Sequence, residues 1–326
     1  MLAPLPSARA HPPHRASTPA PPRAAAAAPA ADVAALNKAH GIPGSVEVTT
    51  GRGGLPIVRL TSASGAAAEV YLFGGAVNSW TQPSGDEVLY VRPDAVFDKS
   101  KPISGGIPHC FPQFGPGPLP QHGFARGADW GIGSTSADPN PDEVDPSVEL
   151  ILTDTDATRA VWPHAFRAAY RVTLHGEALR TELAISNTGA SPFTFTAALH
   201  TYIEVSDIRA AKVSGLKGLT WLDKTADPAN PPRALETRDA VPFAGPVDAV
   251  YLGAPGHLEL DVGTGAAVAI DSAGWPDAVV WSPWDAMPAC YERFCCVENA
   301  VAVEPVTVEA GKVWKATADF AVIDLA

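Results

Sequence analysis

His200 and Glu298 are two residues whose types suit proton transfer. His200 stands in the strand-like segment FTFTAALHTYIEV, and Glu298 follows the apolar run FCCV. A charge after such a run is costly unless it is paired or functional, and a carboxylate in a partly apolar site has a raised pKa that suits a general base near neutral pH. A histidine on a strand is as often a hydrogen-bonded core residue. The two residues therefore predict acid/base chemistry only if the fold brings them together.

Three further segments concentrate residues of unusual types. Residues 100–115, SKPISGGIPHCFPQFG, combine a Gly-Gly pair with stiff prolines and bulky aromatic residues, and glycines allow a backbone to approach a ligand closely. The segment QHGFARGADW holds His122 and Arg126, and WSPWDAMPACYERFCCVENA holds Trp281 and Trp284. A tryptophan can stack on a sugar, but aromatic residues in a sandwich are more often core. We expect residues 100–115 to form a rim of a ligand pocket.

The elements that must position these residues are predicted to be strands. The 326 residues are 46% hydrophobic and 18% charged, with 33 prolines and 28 glycines, which favours short strands and structured loops. From about residue 44, segments of alternating apolar and polar residues recur at a spacing of roughly ten residues. This pattern predicts an all-β fold, one large antiparallel sandwich over residues 44–326, with a concave face or mouth for a ligand.

The start of the chain differs in composition from the rest. Residues 1–31 contain arginines among Ala, Pro, Ser and Thr, and no acidic residue occurs before Asp32. Such a composition is typical of an organellar transit peptide, here of a plastid, and a plain disordered tail on a cytoplasmic protein is the alternative. We expect residues 1–40 to be disordered, although DVAALNKAH, with Asp32 as its cap, is the best helix candidate of the chain.

Charge and cysteine spacing exclude several kinds of partner. The formal net charge is −12 without a basic stripe in the body of the chain, which argues against nucleic acid and against an anionic membrane. No apolar run approaches the length of a membrane span. The four cysteines show no CxxC spacing, and neighbours such as Cys295 and Cys296 rarely pair. We therefore expect free thiols, not a disulfide framework or a zinc knuckle.

Several motifs in a fixed order resemble those of the aldose 1-epimerase (mutarotase) superfamily, and more specifically its glucose-6-phosphate 1-epimerase branch. SGGIPHCFPQFG and QHGFARGADW are followed by PFTFTAALHTYIEV, VSGLKGLTWLDK, VDAVYL and VVWSPWDAM…FCCVENA, so that the resemblance covers about residues 54–320. It implies a large antiparallel β-supersandwich of the galactose mutarotase type, in agreement with the strand pattern.

The resemblance also implies roles for single residues in the interconversion of α and β hexose anomers. Glu298 is implied as the general base that takes the proton of the C1 hydroxyl, and His200 as the general acid that protonates the ring oxygen. This chemistry needs no metal and no redox cofactor. Further implied contacts are His122 near the ring oxygen, Arg126 at an anionic group, Asp248 at sugar hydroxyls, and Gln82 and Asp285 as polar pocket lining.

Ser104 departs from the pattern of the branch, which has an arginine immediately before the glycine pair. A bidentate arginine is a strong phosphate ligand, and serine is not its equivalent. Compensation could come from Lys99, Lys101 or Arg92, although each of these alone also fits a solvated surface cation. The resemblance thus implies the mutarotase reaction more directly than it implies a phosphorylated substrate.

Three alternatives to a hexose 6-phosphate epimerase stay open at the level of the sequence. The chain could act on a neutral hexose or another phosphosugar, or it could be a non-catalytic carbohydrate-binding sandwich, which would not need the His200 and Glu298 pair. A metal-dependent enzyme would use His109, His122, His200 and Glu298, but no HxH or HxxxH spacing supports it. In each case the expected partner is a small sugar or sugar phosphate, and the protein is expected to be a monomer.

Overall fold

Antiparallel β-strands make up most of the protein in a computed structural model, which describes residues 32–137 and 145–325. Every pairing between the named strands is antiparallel. The strands form three sheets, and the all-β prediction is therefore confirmed. The sequence pattern predicted two stacked sheets, and the structure adds a smaller third one.

The first sheet is a four-stranded meander formed by the start of the sandwich domain. Its order follows the chain, because each strand pairs with the next one. The strands are β1 (Val46–Thr50), β2 (Pro56–Thr61), β3 (Ala67–Tyr71) and β4 (Val77–Thr81).

A nine-stranded sheet is formed by strands from both halves of the chain. Along β9 every second residue is buried, which is the pattern of a strand with one face on the core. The strands are β6 (Gly131–Ser136), β7 (Ser147–Thr153), β8 (Phe166–His175), β9 (Ala178–Asn187), β12 (Lys212–Ser214), β15 (Ala240–Pro242), β17 (His257–Asp261), β18 (Ala266–Ala273) and β21 (Val313–Asp324), in the spatial order β15-β12-β17-β18-β21-β9-β8-β7-β6.

An eight-stranded sheet completes the sandwich and carries the residues of chemical interest. Its order is β14-β13-β16-β19-β20-β10-β5, and β11 pairs with β20 beyond the end of β10. The strands are β5 (His109–Cys110), β10 (Phe193–Leu199), β11 (Tyr202–Glu204), β13 (Thr220–Asp223), β14 (Arg233–Leu235), β16 (Val247–Leu252), β19 (Asp277–Ser282) and β20 (Phe294–Val308).

The two faces of this eight-stranded sheet have different surroundings. On one face, Val280, Cys295 and Val297 belong to a single large apolar cluster that contains residues of all three sheets. On the other face, residues one position away, such as Cys296 and Glu298, lie outside that cluster. Since successive side chains of a strand point to opposite faces, β20 contributes alternately to the core and to a second, more polar surface.

Helices are few among the described residues. Helix α1 (Val33–His40) begins at Asp32, whose carboxylate accepts a hydrogen bond from the Ala35 N–H at 3.2 Å, as predicted. The other elements are helix α2 (Asp156–Val161) and 3₁₀ turns at Arg52–Gly54, Ala125–Gly127, Trp284–Ala286 and Tyr291–Arg293. None of the described helices is long and apolar enough to cross a membrane.

The described part of the predicted disordered segment is helical. Asn37 of α1 accepts a hydrogen bond from the Val48 N–H of β1 at 2.9 Å, so the helix is held to the first sheet. The boundary predicted at residue 40 is therefore wrong for residues 32–40, because a capped helix with a tertiary contact forms there. The predicted transit peptide otherwise lies outside the described residues.

Candidate active site

The strand register brings His200 and Glu298 together. In the pairing of β10 with β20, Leu199 lies opposite Asn299, and in the pairing of β11 with β20, Tyr202 lies opposite Cys296. Both pairings have the same register, which places His200, between the two strands, opposite Glu298. Residues opposite each other on neighbouring strands have Cβ atoms about 5 Å apart. The sheet therefore creates the contact that the sequence could not show.

Two neighbouring strands extend the site on the same face. Glu298 lies opposite Val279 of β19, and Cys296 lies opposite Trp281, which in turn lies opposite Asp248 of β16. One row of four strands thus carries, in order, Asp248, Trp281, Cys296 and Tyr202. Together with loops from residues 104–126, this face forms the wall of a cavity of about 500 Å³.

His200 and Glu298 are in contact at the wall of this cavity. Nε2 of His200 lies 3.4 Å from Oε1 of Glu298, and the two side chains are only 10% and 2% exposed. Nδ1 of His200 and Oε2 of Glu298 are buried without a protein partner. Because a buried polar atom is normally hydrogen-bonded, these two atoms leave hydrogen-bonding capacity unused at the wall of the cavity.

Burial shifts both groups towards their neutral forms. Loss of solvation raises the pKa of Glu298 well above its usual value, and Asp248 raises it further. Loss of solvation lowers the pKa of His200 to about 3, with smaller contributions from His122 and Arg126. A protonated carboxyl beside a neutral imidazole holds as many protons as a carboxylate beside an imidazolium. The pair can therefore change between these two forms by one proton transfer.

His122 enters the cavity from the segment QHGFARGADW in a fixed tautomer. Its Nδ1 accepts a hydrogen bond from the Gly115 N–H at 3.2 Å and lies 3.1 Å from the Cys110 thiol. Since Nδ1 is an acceptor, the neutral ring carries its hydrogen on Nε2. Burial lowers the pKa of His122 to about 3, helped by Arg126 and Lys224. Its ring centroid is 5.6 Å from that of His200, so that both imidazoles line one cavity.

Three cations line the cavity, and only two of them were considered from the sequence. Arg126 donates through Nη2 to the Gln121 carbonyl at 2.8 Å, while its Nε is buried without a protein partner. Arg92 lines the cavity beside Ser104 and forms a bidentate pair with Asp94. Lys224 was missed, because in VSGLKGLTWLDK it looks like a turn residue after a strand. Its backbone N–H donates to the carbonyl of Asp248 at 2.9 Å.

Asp248 and Ser104 lie where the sequence predicted a substrate site. Asp248 lines the cavity, and burial raises its pKa while Lys224 opposes that shift. Ser104 lines the cavity too, and its carbonyl accepts a hydrogen bond from the backbone N–H of Arg92 at 3.0 Å. An arginine at position 104 would therefore start from the wall of the same cavity.

Gly105 and Gly106, which follow Ser104, pack closely against backbone atoms of neighbouring segments. Gly105 has φ +135°, and a Cβ there would lie 2.4 Å from Cα of Val91. Gly106 has φ +69°, and its Cβ would lie 2.1 Å from the carbonyl oxygen of Val77. Both contacts are too short for any side chain, so the glycines allow this segment to lie against neighbouring strands. The expected close approach to a ligand is wrong at these two positions, and residues 100–115 reach the cavity at Ser104, Phe114 and Gly115.

Other predicted residues do not line the cavity. Gln82 lines a separate groove of about 670 Å³, where its side chain donates to the Glu177 carbonyl at 3.3 Å. Asp285 is exposed, and Trp284 packs on Tyr291 with ring centroids 5.2 Å apart. Lys99 pairs with Asp129, and neither it nor the exposed Lys101 lines the cavity.

Trp281, in contrast, does line the cavity, with its ring 5.6 Å from that of His200.

The four residues of the metal alternative do not come together. His109 is buried in the core, where Nε2 bonds the Gly75 carbonyl and the ring stacks on Trp130. Among the described residues, the potential ligand atoms that do converge belong to His200, Cys296 and Glu298.

Comparisons with known proteins agree with this architecture. The sequence profile described as Aldose 1-epimerase matches residues 56–321. A protein of Cenchrus ciliaris with the provisional name glucose-6-phosphate 1-epimerase is 40% identical over 279 residues, covering 80% of this chain and 83% of that protein. A protein of Escherichia coli K12 with the same provisional name is 32% identical over 259 residues, covering 75% and 83%.

Solved structures show the same fold. A crystal structure from Salmonella typhimurium, provisionally described as a mutarotase, superimposes with a TM-score of 0.75 and 26% identity, covering 86% of this chain and 97% of that one. A galactose mutarotase-like protein from Clostridium acetobutylicum gives a TM-score of 0.72 over 86% of this chain and 98% of that one, and at 14% identity it shares the fold alone. By the extent of the profile match and the identity of these relatives, the chain belongs to the aldose 1-epimerase family of isomerases.

Proposed function

We propose that this protein interconverts the α and β anomers of a hexose 6-phosphate, as a glucose-6-phosphate 1-epimerase. The observation that carries the proposal is the buried contact of His200 with Glu298, at 3.4 Å, in the wall of a cavity of about 500 Å³. Anomer exchange requires one group that removes a proton from the C1 hydroxyl and one that supplies a proton to the ring oxygen. This pair supplies both, and the provisional names of the relatives agree with the reaction.

The reacting form of the pair is Glu298 carboxylate with His200 imidazolium. It arises from the neutral pair by transfer of one proton over the short Oε1 to Nε2 separation, so that no proton is exchanged with solvent. The positive charges of Arg126 and Lys224 lower the pKa of Glu298 and so favour its ionised form. Oε2 of Glu298 and Nδ1 of His200 lack protein partners, so no further protein hydrogen bond holds either residue in one protonation form.

Ring opening then takes one proton transfer at each of these two residues. Glu298 takes the proton of the C1 hydroxyl, the bond from C1 to the ring oxygen breaks, and the ring oxygen receives the proton of His200. The open aldehyde lies beside a protonated Glu298 and a neutral His200, the forms that burial favours. Rotation about the bond from C1 to C2 presents the other carbonyl face, and the same transfers run backwards. The neutral pair is therefore present both before the reaction and beside the open aldehyde, and the ionised pair forms only for the two proton transfers.

Two further side chains orient the sugar. His122 carries its hydrogen on Nε2, because Nδ1 accepts from the Gly115 N–H, and it acts as a donor to the ring oxygen or a neighbouring hydroxyl. Asp248 accepts from sugar hydroxyls. Trp281, with its ring near that of His200, offers an apolar surface for one sugar face.

The positive charge of the cavity favours an anionic substrate. Arg92, Arg126 and Lys224 line it against the carboxyl groups of Asp248 and Glu298, and burial disfavours ionisation of both carboxyls. We propose that Arg92 and Lys224 take part of the role of the arginine that Ser104 replaces. Arg92 is bound to Asp94 by two hydrogen bonds, of 2.9 and 2.6 Å, so its guanidinium is shared between that carboxylate and a phosphate.

A neutral hexose or another phosphosugar is the second candidate substrate, and Ser104 is the observation that favours it. A serine cannot make the bidentate contact that an arginine makes with a phosphate. A non-catalytic sugar-binding protein has less support, because the buried pair would have no use in binding alone.

Exchange of anomers measured by NMR tests the proposal directly. Purified protein is added to glucose 6-phosphate and, separately, to glucose at equilibrium, and magnetisation transfer between the anomeric protons is compared with buffer. We expect acceleration with the phosphosugar at lower substrate concentration than with glucose. Acceleration with glucose alone would support the second candidate, and none with either sugar would argue for the sugar-binding alternative.

We also propose that the protein acts in a plastid as a monomer. The first 31 residues, rich in Ala, Ser and Pro with arginines and without acidic residues, support the location.

A further inference from the structure

Cys296 lies directly behind the cavity wall, next to the catalytic pair. On β20 it is two residues before Glu298 and therefore on the same face of the sheet. Its neighbours across the sheet, Tyr202 and Trp281, both line the cavity, while Cys296 itself is completely buried. The thiol has no part in the proposed proton transfers, so its position calls for a separate explanation.

Three potential metal-ligand atoms converge here. A ring nitrogen of His200, Sγ of Cys296 and a carboxylate oxygen of Glu298 all lie within 4.8 Å of one another. Two atoms bound to one tetrahedral Zn²⁺ at bond lengths of about 2.0 to 2.1 Å lie about 3.3 Å apart. The 3.4 Å between Nε2 of His200 and Oε1 of Glu298 fits that geometry. Sγ of Cys296, within 4.8 Å of a ligand atom of each of the other two residues, completes the set of three.

We propose that His200, Cys296 and Glu298 form an inhibitory site for a thiophilic divalent cation such as Zn²⁺ or Cd²⁺. On binding, the Sγ–H bond of Cys296 and the O–H bond of the neutral Glu298 carboxyl break, the thiolate and the carboxylate bond the metal, and two protons leave to solvent. The fourth position of the ion faces the cavity and takes a water molecule. The inhibition rests on the proposed function, because the bound ion occupies the lone pairs that His200 and Glu298 need for proton transfer. The binding of the ion does not depend on that function.

Charge and ligand type support such a site. A dication with the carboxylate of Glu298, the thiolate of Cys296 and a neutral His200 has zero net charge, which suits a buried position where an isolated charge is costly. Imidazole, thiolate and carboxylate are common zinc ligands, and a soft thiolate favours Zn²⁺ and Cd²⁺ over Mg²⁺ and Ca²⁺. The carboxyl group of Asp248 attracts the cation. Arg126 and Lys224 repel it, and the same two residues lower the pKa of Glu298.

Cys295 provides a matched control. It precedes Cys296 in the chain and is equally buried, but it faces the apolar core formed by all three sheets. A thiol there cannot reach His200 or Glu298 from the opposite face of the sheet. Comparing Cys295→Ala with Cys296→Ala therefore separates a specific ligand from the general effect of removing a buried thiol.

Titration of the purified full-length chain with Cd²⁺ tests binding without any activity measurement. Bound thiolate gives an ultraviolet charge-transfer absorption band, which metal bound by surface carboxylates or by His257 lacks. We expect one equivalent of Cd²⁺ to produce the band in the wild type and in Cys295→Ala. Cys296→Ala should abolish the band, and Glu298→Gln should weaken Cd²⁺ binding by at least about tenfold, because each removes a direct ligand.

A band of full strength in Cys296→Ala, or one lost in Cys110→Ala instead, would overturn the proposal. Cys296→Ser serves as a second variant in case Cys296→Ala folds poorly. For inhibition, anomer exchange is measured with and without Zn²⁺, each variant relative to its own metal-free rate. Zn²⁺ should inhibit the wild type and Cys295→Ala, reversibly on addition of EDTA, and leave most of the Cys296→Ala rate. Without epimerase activity on any sugar the proposed function would fail, and the Cd²⁺ band would still decide the metal site.

Discussion

His200 lies opposite Glu298 of β20, although it stands between β10 and β11, because both of these strands pair with β20 in the same register. Their contact depends on the pairing of Leu199 with Asn299 on one side and of Tyr202 with Cys296 on the other. Strand pairing on both sides thus fixes the backbone positions of the two residues relative to each other.

Removal of either member of the pair should abolish most of the catalysis. We expect His200→Asn and Glu298→Gln to lower kcat by roughly 10²- to 10⁴-fold, because each takes away one proton-transfer step. KM should change less, since both replacements keep polar atoms at the cavity wall. Exchange NMR, corrected for the rate in buffer, measures the loss, and circular dichroism establishes that the fold is retained. Full activity in either variant would exclude the proposed roles.

The cations of the cavity should act on the phosphate and not on the sugar. We expect Lys224→Met to raise KM for glucose 6-phosphate about tenfold, as charge-assisted hydrogen bonds contribute about 1.5 to 3 kcal/mol, with a smaller effect on glucose. Gln82→Ala is the matched control, because Gln82 lies in a separate groove and should leave both constants unchanged. Equal changes of KM for both sugars in Lys224→Met would indicate that the lysine binds sugar hydroxyls.

An arginine at position 104 should restore a phosphate contact. In Ser104→Arg the new guanidinium starts from the cavity wall next to Arg92, and we expect KM for glucose 6-phosphate to fall several-fold relative to KM for glucose. Added salt should reduce the gain, since part of it is electrostatic attraction. A parallel fall for both sugars would show that the substituted residue contacts something other than the phosphate.

The buried histidines should make stability depend on pH. Burial lowers the pKa of His109 to about 4, so the unfolded chain binds this proton from about pH 6.5 downwards and the folded chain only near pH 4. The free energy of unfolding therefore falls as the pH drops through this window, by at most about 1.4 kcal/mol per pH unit for a single histidine. Glu298 has the opposite sign, because its raised pKa favours the folded state at low pH and disfavours it above about 4.5.

Comparing the pH dependence of unfolding in two histidine variants separates the effect of His109 from the opposing effect of Glu298. His109→Gln should make the decline between pH 6 and 4 shallower in urea unfolding. His257→Asn should not, because Asp271 and Glu259 raise the pKa of His257 and its stabilisation is complete below about pH 6.5. An unchanged slope in His109→Gln would mean that His109 is protonated in the folded protein.

The location in a plastid is tested by a reporter fused to residues 1–40 of this chain. We expect the fusion to enter plastids and a reporter fused to residues 32–40 alone to stay outside, because the acid-free composition ends at Ala31. A cytosolic signal from the longer fusion would leave the N-terminal segment as a plain tail.

The sequence predicted the strands well because their alternation directly reflects burial on one face. His122, Arg126 and Asp248, which the sequence singled out within long motifs, do line the cavity, while their roles stay predictions. Gln82 was misplaced, because a polar residue at the end of β4 gives no sign of which side of a hairpin it will reach.

Long-range pairing explains what the sequence could not predict. The contact of His200 with Glu298 and the position of Cys296 both depend on register between strands that are far apart in the chain. Lys224 reaches the cavity only because β13 pairs with β16 and brings it next to Asp248. Local composition carries no information on either pairing.

The backbone path at Gly105 and Gly106 does not depend on which residue stands before the pair. Its conformation is dictated by contacts with Val91 and Val77, which do not involve the side chain at 104. In the role that we propose for position 104, its residue can alter the contact with the substrate's phosphate on a support that stays in place. One substitution there would then change the preferred sugar, while the acid/base pair and the sheet beneath it remain as they are.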